Sequence, residues 1–251
     1  MNNQSPQQYQ QYPQPPSFQN DEIDLKELFM ELWAGKLWII GLTVLFAAGA
    51  TVFALSQPNV YETKAVLAVD ADPYSVGLNI GPEENDALSA ITGKEVKQRI
   101  EKITDATFSQ LNALSFSKEK RGVNITVSQQ GQDPSLIFAN VQVFTQNINK
   151  TLVELELEKA ELALLPLQEL IKTTDSVAVK GVLSENAAQQ LFKIALLKSP
   201  STELIHVIQE PVKATSHIKP KRALIVVLGT LLGGMLGVAI VLVRFAFRKE
   251  E

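Results

Sequence analysis

The chain has no cysteine among its 251 residues. That excludes disulfides and thiolate metal sites. Histidine is nearly absent: there are two, His206 and His217, and neither has a cysteine or a paired carboxylate at ligand spacing, so no metal site is expected. An excess of basic charge is lacking too. With 23 Lys and Arg against 27 Asp and Glu, the net charge is −4, and nucleic acid is not an expected partner. The glycine cluster Gly233–Gly237 (GGMLG) has no Lys-Ser or Lys-Thr after it, so it is no phosphate loop. The run Glu154–Glu161 places carboxylates at helical spacing, and a solvated helix face explains it better than general-acid work. The residues therefore predict neither a cofactor nor an enzyme.

Two stretches lack charge altogether, and the chain is organised around them. Ala223–Val243 has twenty-one uncharged residues, thirteen of them Leu, Ile or Val. As a helix it is roughly 31 Å long, against about 30 Å of bilayer hydrocarbon. Lys219, Lys221 and Arg222 bound it before, and Arg244, Arg248 and Lys249 after. Leu37–Leu55 has nineteen uncharged residues, about 28 Å as a helix. Its AxA-like triplets near Ala48–Ala50 sit inside the apolar run, so it reads as an uncleaved anchor. Gly41, Ala47, Ala50 and Ala54 are small enough to admit a neighbouring helix. Gly229, Gly233 and Gly237 recur at every fourth residue of the second span, a face on which another helix backbone can approach closely. That helix is the first span or a segment of a different membrane protein, and the two readings are compatible. Two spans put both termini on one side, and the flanking charges do not choose which.

The first twenty residues lack aliphatic side chains after Met1 and are rich in Gln, Pro, Asn and Tyr. They cannot bury enough apolar surface to offset ordering entropy, so disorder is expected over 1–20. Residues 21–36 (DEIDLKELFMELWAGK) differ. Ile23, Leu25, Leu28, Phe29, Leu32 and Trp33 form a helical stripe opposite Glu22, Lys26, Glu27 and Glu31, with Asp21 or Asp24 as cap. This predicts an amphipathic juxtamembrane helix whose Trp33 and Lys36 mark the membrane boundary.

Residues 56–222 form the large loop between the spans. Tyr61, Thr63, Ala65, Leu67 and Val69 alternate as a strand directly after the first span. Pro73, Gly77, Gly81 and Pro82 mark a loop. Asn85–Leu114 reads as helix with a break at Gly93. Gly122–Gln129 reads as a second strand. Asp133 followed by Pro134 signals a helix start. A long apolar pattern then runs from Ile137 through Leu165, meets Pro166, where a kink or interruption is expected, and resumes to Leu197. It predicts an arm or a long hairpin whose stripe needs a partner in this chain or in another copy. Glu203–Gln209 reads as a third strand returning to the first, and Pro211 and Pro220 stiffen the approach to the second span. The predicted fold is a membrane protein with two transmembrane helices flanking an α/β (α+β) domain, with a membrane-proximal sheet and a long, Pro-interrupted helix.

Three stretches are similar to the Wzz-type chain-length determinants, also called polysaccharide co-polymerases. The leader Glu22–Lys36, with Trp33, Gly35 and Lys36, resembles the family's leader before its first span. The strand with Tyr61 is also similar. The third stretch runs from Pro211 to Pro220-Lys221 and on to Gly233-Gly234-Met235-Leu236-Gly237. Ala214 stands there for a usual proline, Lys219 for a usual serine and Val238 for a usual alanine. The resemblance implies a bacterial inner-membrane protein with both termini cytoplasmic and residues 56–222 in the periplasm, between spans 37–55 and 223–243 and ahead of a stub, 244–251. It implies a homo-oligomeric ring without enzymatic activity, acting with a Wzy-type polymerase on undecaprenyl-linked polysaccharide, O-antigen of lipopolysaccharide being the usual product. The short loop implies a reduced helical extension. Two alternatives remain. One is a co-polymerase for capsule or exopolysaccharide export that partners a separate tyrosine kinase. The other is a two-span periplasmic sensor, which needs an output element that the tail and stub do not offer.

Overall fold

The computed structural model describes residues 25–119 and 124–249. The expected disorder over 1–20, the Asp21 or Asp24 cap and Val123 in the second strand lie outside them. In chain order the elements are α1 (Leu25–Ala34), α2 (Lys36–Ser56), β1 (Tyr61–Val69), α3 (Ala87–Thr92), α4 (Lys94–Ile103), α5 (Phe108–Asn112), β2 (Ser115–Lys118), β3 (Asn124–Gly131), α6 (Pro134–Thr173), α7 (Val177–Leu197), β4 (Ile205–Gln209) and α8 (Arg222–Lys249). They fall into two units. One joins the described residues up to Ala54 to those from Arg222 onward, and the other is Leu55–Lys221.

The first unit is α1, α2 and α8. Mean hydropathy reaches 2.1 in α2 and 2.6 in α8, and most of their side chains point outward. A helix satisfies its backbone internally, so an apolar exterior of this length suits lipid. Both helices are long enough to cross a bilayer.

In the second unit, four antiparallel strands pair in the order β2-β3-β1-β4. The period of two in β1 buries Thr63, Ala65, Leu67 and Val69 on one face. β3 does the same with Ile125, Val127 and Gln129. The first half of α6 lies across this face and supplies Val141, Phe144, Ile148 and Leu152. Ile91, Val96, Ile100 and Leu111 from α3, α4 and α5 close the core. Asp133 caps α6, its carboxylate accepting from the N–H of Ser135 (2.8 Å) and Leu136 (3.3 Å), with Pro134 in the first turn where no N–H is needed. Asn149 latches mid-α6 to the start of β4. Its Oδ1 accepts from the N–H of Leu204 (2.8 Å) and Ile205 (3.1 Å), and its Nδ2 donates to the Thr202 carbonyl (3.1 Å).

Beyond the sheet, α6 pairs with α7 as an αα-hairpin, so the apolar stripe finds its partner within the chain. Ala160, Leu164, Ala187 and Ile194 make a second small core, flanked by Leu157, Leu167 and Ile171. Three expectations need correction. Pro166 does not interrupt the helix: α6 runs unbroken for 40 residues, and the chain turns only at 174–176. A proline removes one N–H, leaving the Leu162 carbonyl without its donor, and both residues lie on the exposed side where water can take its place. The expected helix over Asn85–Leu114 is three short ones. Gly93 separates the first two, and Thr107 restarts the chain with a reciprocal Thr107–Gln110 capping box. A four-residue strand, β2, escaped notice because Ser115–Lys118 is too short and polar to show alternation.

Candidate functional site

The glycines predicted to matter in the second span form a seam against the first. A Cβ added to Gly233 would stand 2.7 Å from the Phe46 Cβ and 3.0 Å from the Leu42 carbonyl oxygen. One at Gly237 would stand 2.8 Å from the Ile39 Cα, and one at Gly229 would overlap the Ala50 methyl. Gly35, between α1 and α2, meets Val241 of α8 in the same way, at 2.7 Å. Of the two readings of the glycine face, packing on the first span of the same chain is the one observed. Lipid supplies no hydrophobic drive to bring helices together, so close backbone packing takes its place, and only glycine permits it here. The hydroxyls inside the unit are satisfied locally: Thr43 donates to the Ile39 carbonyl and Thr230 to the Val226 carbonyl, each at 2.7 Å.

The rest of the GGMLG stretch faces elsewhere. A Cβ at Gly234 would meet only the Thr43 Oγ1, at an ordinary 3.6 Å, and Met235 is 72% exposed. Trp33 is exposed on α1 with the Lys36 ammonium 4.7 Å from its ring centroid, a cation–π contact.

The remaining predicted residues belong to the second unit. The Val60 N–H donates to the Lys219 carbonyl (2.9 Å) and the Ile218 N–H to the Val60 carbonyl (2.8 Å). The segment after α2 is thereby zipped to the segment before α8. Pro220 and the exposed Lys221 follow directly. Tyr61 opens β1 opposite Gly131, half-buried. Pro211 lines a groove of ≈ 180 Å³ with Phe138, Gln142 and Val207.

Beside this zipper lies a polar cluster that sequence reading missed. Lys219 Nζ donates to Gln130 Oε1 (3.3 Å), Gln130 Nε2 donates to Glu62 Oε1 (3.0 Å), and Lys64 pairs with Glu62 at 2.9 Å. Burial pushes the Glu62 carboxyl upward. Hydrogen bonds from Lys64 and Gln130, with the charges of Lys64 and Lys219, outweigh it and hold the group below its ordinary value. Glu62 and Lys64 share the outer face of β1, and that alternation was the available signal. Carboxylates also approach His206 more closely than its sequence neighbours indicate: Glu203 at 2.9 Å and Asp70 at 4.0 Å. Among the described residues no group of three or more His, Asp or Glu is placed to hold a metal ion. Glu156, inside the acidic run read as solvated, is buried, with Lys159 at 2.8 Å and Lys193 at 3.1 Å. Glu154 and Glu158 remain outside and face Arg99.

The sequence profile of the Wzz family, described as chain length determinant protein, matches residues 21–111. A second profile, GNVR, the G-rich domain described on tyrosine kinases, matches residues 170–246. No curated protein sequence matches the chain significantly. Among solved structures, a full-length bacterial polysaccharide co-polymerase is similar with a TM-score of 0.50 at 16% identity, over 90% of this chain and 99% of that one. A fragment of the polysaccharide co-polymerase WzzB from Salmonella Typhimurium overlaps 64% of this chain and 100% of its own, with a TM-score of 0.34 at 13% identity.

Proposed function

We propose that the chain, which carries the Wzz profile over residues 21–111 and the GNVR profile over 170–246, is a polysaccharide co-polymerase that sets the length of a polysaccharide made by a separate polymerase, without making or breaking bonds itself. Its most specific form is control of O-antigen length in lipopolysaccharide. The protein would act as a homo-oligomeric ring in the bacterial inner membrane beside a Wzy-type polymerase and its undecaprenyl-linked product, with both termini cytoplasmic and Leu55–Lys221 in the periplasm. Within that reading, Trp33, Gly35, Lys36, Tyr61, Pro211, Pro220, Lys221, Gly229, Gly233, Gly234, Met235 and Gly237 serve helix packing and family-type contacts rather than chemistry.

The observation that carries the reading is the apolar surface left on the α6–α7 hairpin. Leu162, Leu165, Val182 and Phe192 are all exposed there, outside the hairpin's own small core. Exposed leucine, valine and phenylalanine side chains on both helices of the hairpin support lateral contact with further copies. The deciding experiment is a gene deletion with complementation, read as the ladder of polysaccharide lengths on a gel. The expected result is a broadened or shifted distribution with polymer still made. Complete loss of polymer would instead indicate a synthase.

A second reading has a specific observation behind it. The GNVR match over 170–246 favours the branch that serves capsule or exopolysaccharide export in association with a tyrosine kinase. In that case deletion would leave the lipopolysaccharide ladder intact and alter the exported polymer.

A further inference from the structure

The first unit leaves a large apolar patch on α1 that no described residue covers. Phe29, Met30 and Trp33 are 67%, 56% and 65% exposed and together line one open surface. The sequence reading places the membrane boundary at the end of this patch, at Trp33 and Lys36. The geometry of the helices says otherwise. The Gly35 N–H donates to the Glu31 carbonyl (2.9 Å) and closes α1, and the Ile39 N–H donates to the Gly35 carbonyl (3.2 Å) and opens α2, so a single turn residue separates the two helices. The pairing with α8 carries through that residue. Ala50 lies by Gly229, Phe46 by Gly233, Ile39 by Gly237 and Gly35 by Val241, and Glu31 Oε1 pairs with Arg248 Nη1 at 3.0 Å. This is one antiparallel register, and α1 continues it instead of turning away from α8.

The patch is therefore continuous with the lipid-facing side of the span. Phe29 and Trp33 of α1 and Leu37, Ile40 and Val44 of α2 are all more than half exposed. Phe29 to Ser56 measures about 42 Å as helix, longer than ~30 Å of hydrocarbon but equal to a bilayer counted with its headgroup layers, ~40–45 Å. Trp and Lys are the side chains that favour that layer. Phe247, 67% exposed near the end of α8, lies at a matching level.

We propose that the headgroup–acyl boundary of the bilayer is the occupant of the Phe29–Met30–Trp33 face, so that α1 is a membrane-embedded extension of the span clasped to α8 by the Glu31–Arg248 pair. The chain then leaves the membrane near Leu25, about ten residues before the boundary read from the sequence, or ~15 Å of helix. The clasp fixes the depth and rotation of both spans on that side.

The chain has two tryptophans, so Trp38→Phe leaves Trp33 as the only reporter. The full-length variant is placed in nanodiscs of phosphatidylethanolamine and phosphatidylglycerol, which expose both faces to solution. Lipids brominated high on the acyl chain are expected to quench at least half of the Trp33 emission, and iodide less than a tenth. Strong iodide quenching without bromolipid quenching would place the face in water and overturn the proposal. Protection from both quenchers would mean that protein covers it, and would overturn the proposal equally. The native absence of cysteine gives an independent measure. Phe29→Cys and Met30→Cys are expected to react with a membrane-impermeant maleimide at least tenfold more slowly than Lys213→Cys, an exposed position. Equal rates would overturn the proposal.

Discussion

Two helix pairs in this molecule are held together by opposite means. Where α2 meets α8, contact is made by what is missing: glycines let one backbone rest on the other. Where α6 meets α7, contact is made by what is added: Leu164, Ala160, Ala187 and Ile194 fill the gap, and Glu156 is gripped by Lys159 and Lys193 at its base. The solvent accounts for the difference. In water, burying leucine removes apolar surface from a cohesive liquid and stabilises by about 25 cal/mol per Å². In lipid the same leucine gains nothing by changing apolar neighbours, so only shape and local polarity remain. An ion cluster like that of Glu156 would be far more costly in the hydrocarbon than at a hairpin that water reaches.

The comparison breaks most visibly at the seam. Gly233→Leu puts a side chain where even a Cβ stands 2.7 Å from Phe46 and 3.0 Å from a backbone oxygen, and no rotamer of a flexible partner relieves a clash with backbone. The two spans must separate while each remains apolar enough to insert. The expected outcome is wild-type-level protein in the membrane fraction, at least fivefold loss of bis-maleimide cross-linking between cysteines placed at Glu31 and Arg248, a pair off the glycine seam, and loss of a defined modal length on the polysaccharide ladder. Gly237→Leu should behave alike. An unchanged ladder despite separated spans would detach the seam from the function.

The water-side pair responds to the reverse change. Leu164→Ala removes a side chain that is 8% exposed between α6 and α7. The expected cost is about 2–5 kcal/mol, the range for a buried leucine truncated to alanine, read as a lowered midpoint in urea unfolding. The same truncation at Leu231, 58% exposed on α8, should leave the unfolding midpoint unchanged. If both truncations cost the same, solvent is not what separates the two pairs.

These distinctions were only partly legible in the chain. The two spans, the strand alternation in β1 and β3 and the Asp133-Pro134 start of α6 are local patterns, and local patterns survive in a sequence. The glycine face was legible as a face, but its partner was not, because Ala50, Phe46 and Ile39 are ordinary residues whose role comes only from the antiparallel register. Pro166 misled because its effect depends on which side of the helix it occupies, and it lies on the side open to solvent. β2 was invisible because a four-residue edge strand is defined by its neighbour, Ile125–Ser128 of β3, and not by its own composition. The Glu62–Gln130–Lys219 cluster joins residues far apart in the chain, which no spacing rule reaches.

That cluster sharpens the comparison on the side of charge. The Glu62 carboxyl is held below its ordinary value in the folded protein. Its contribution to stability is then fully present above the unfolded pKa, roughly 4.3 for a glutamate, and is lost as pH falls through the lowered folded value. Glu62→Gln should therefore be less stable than wild type at neutral pH and should lose less stability on acidification. The two unfolding curves should converge below the ordinary carboxylate range. Parallel curves across that range would mean that the Lys64 and Gln130 contacts do not bias the ionised form.

The smallest effect is expected one residue from the largest. Gly234 and Gly233 are neighbours in the same glycine-rich stretch, and a reading by composition would treat them alike. A helix turns 100° between them, and that rotation carries Gly234 off the seam, where its nearest atom to an added Cβ is the Thr43 Oγ1 at 3.6 Å. An alanine there makes ordinary van der Waals contact and removes the entropy cost of a glycine in a helix, worth about 1 kcal/mol in water. Gly234→Ala should leave the cysteine cross-link between positions 31 and 248 and the modal length unchanged, with thermal stability equal or slightly raised. A loss of modality here with the seam intact would mean that this second face, with Met235 beside it, meets something other than α2. The polymerase would then be the first partner to test by cross-linking from position 235.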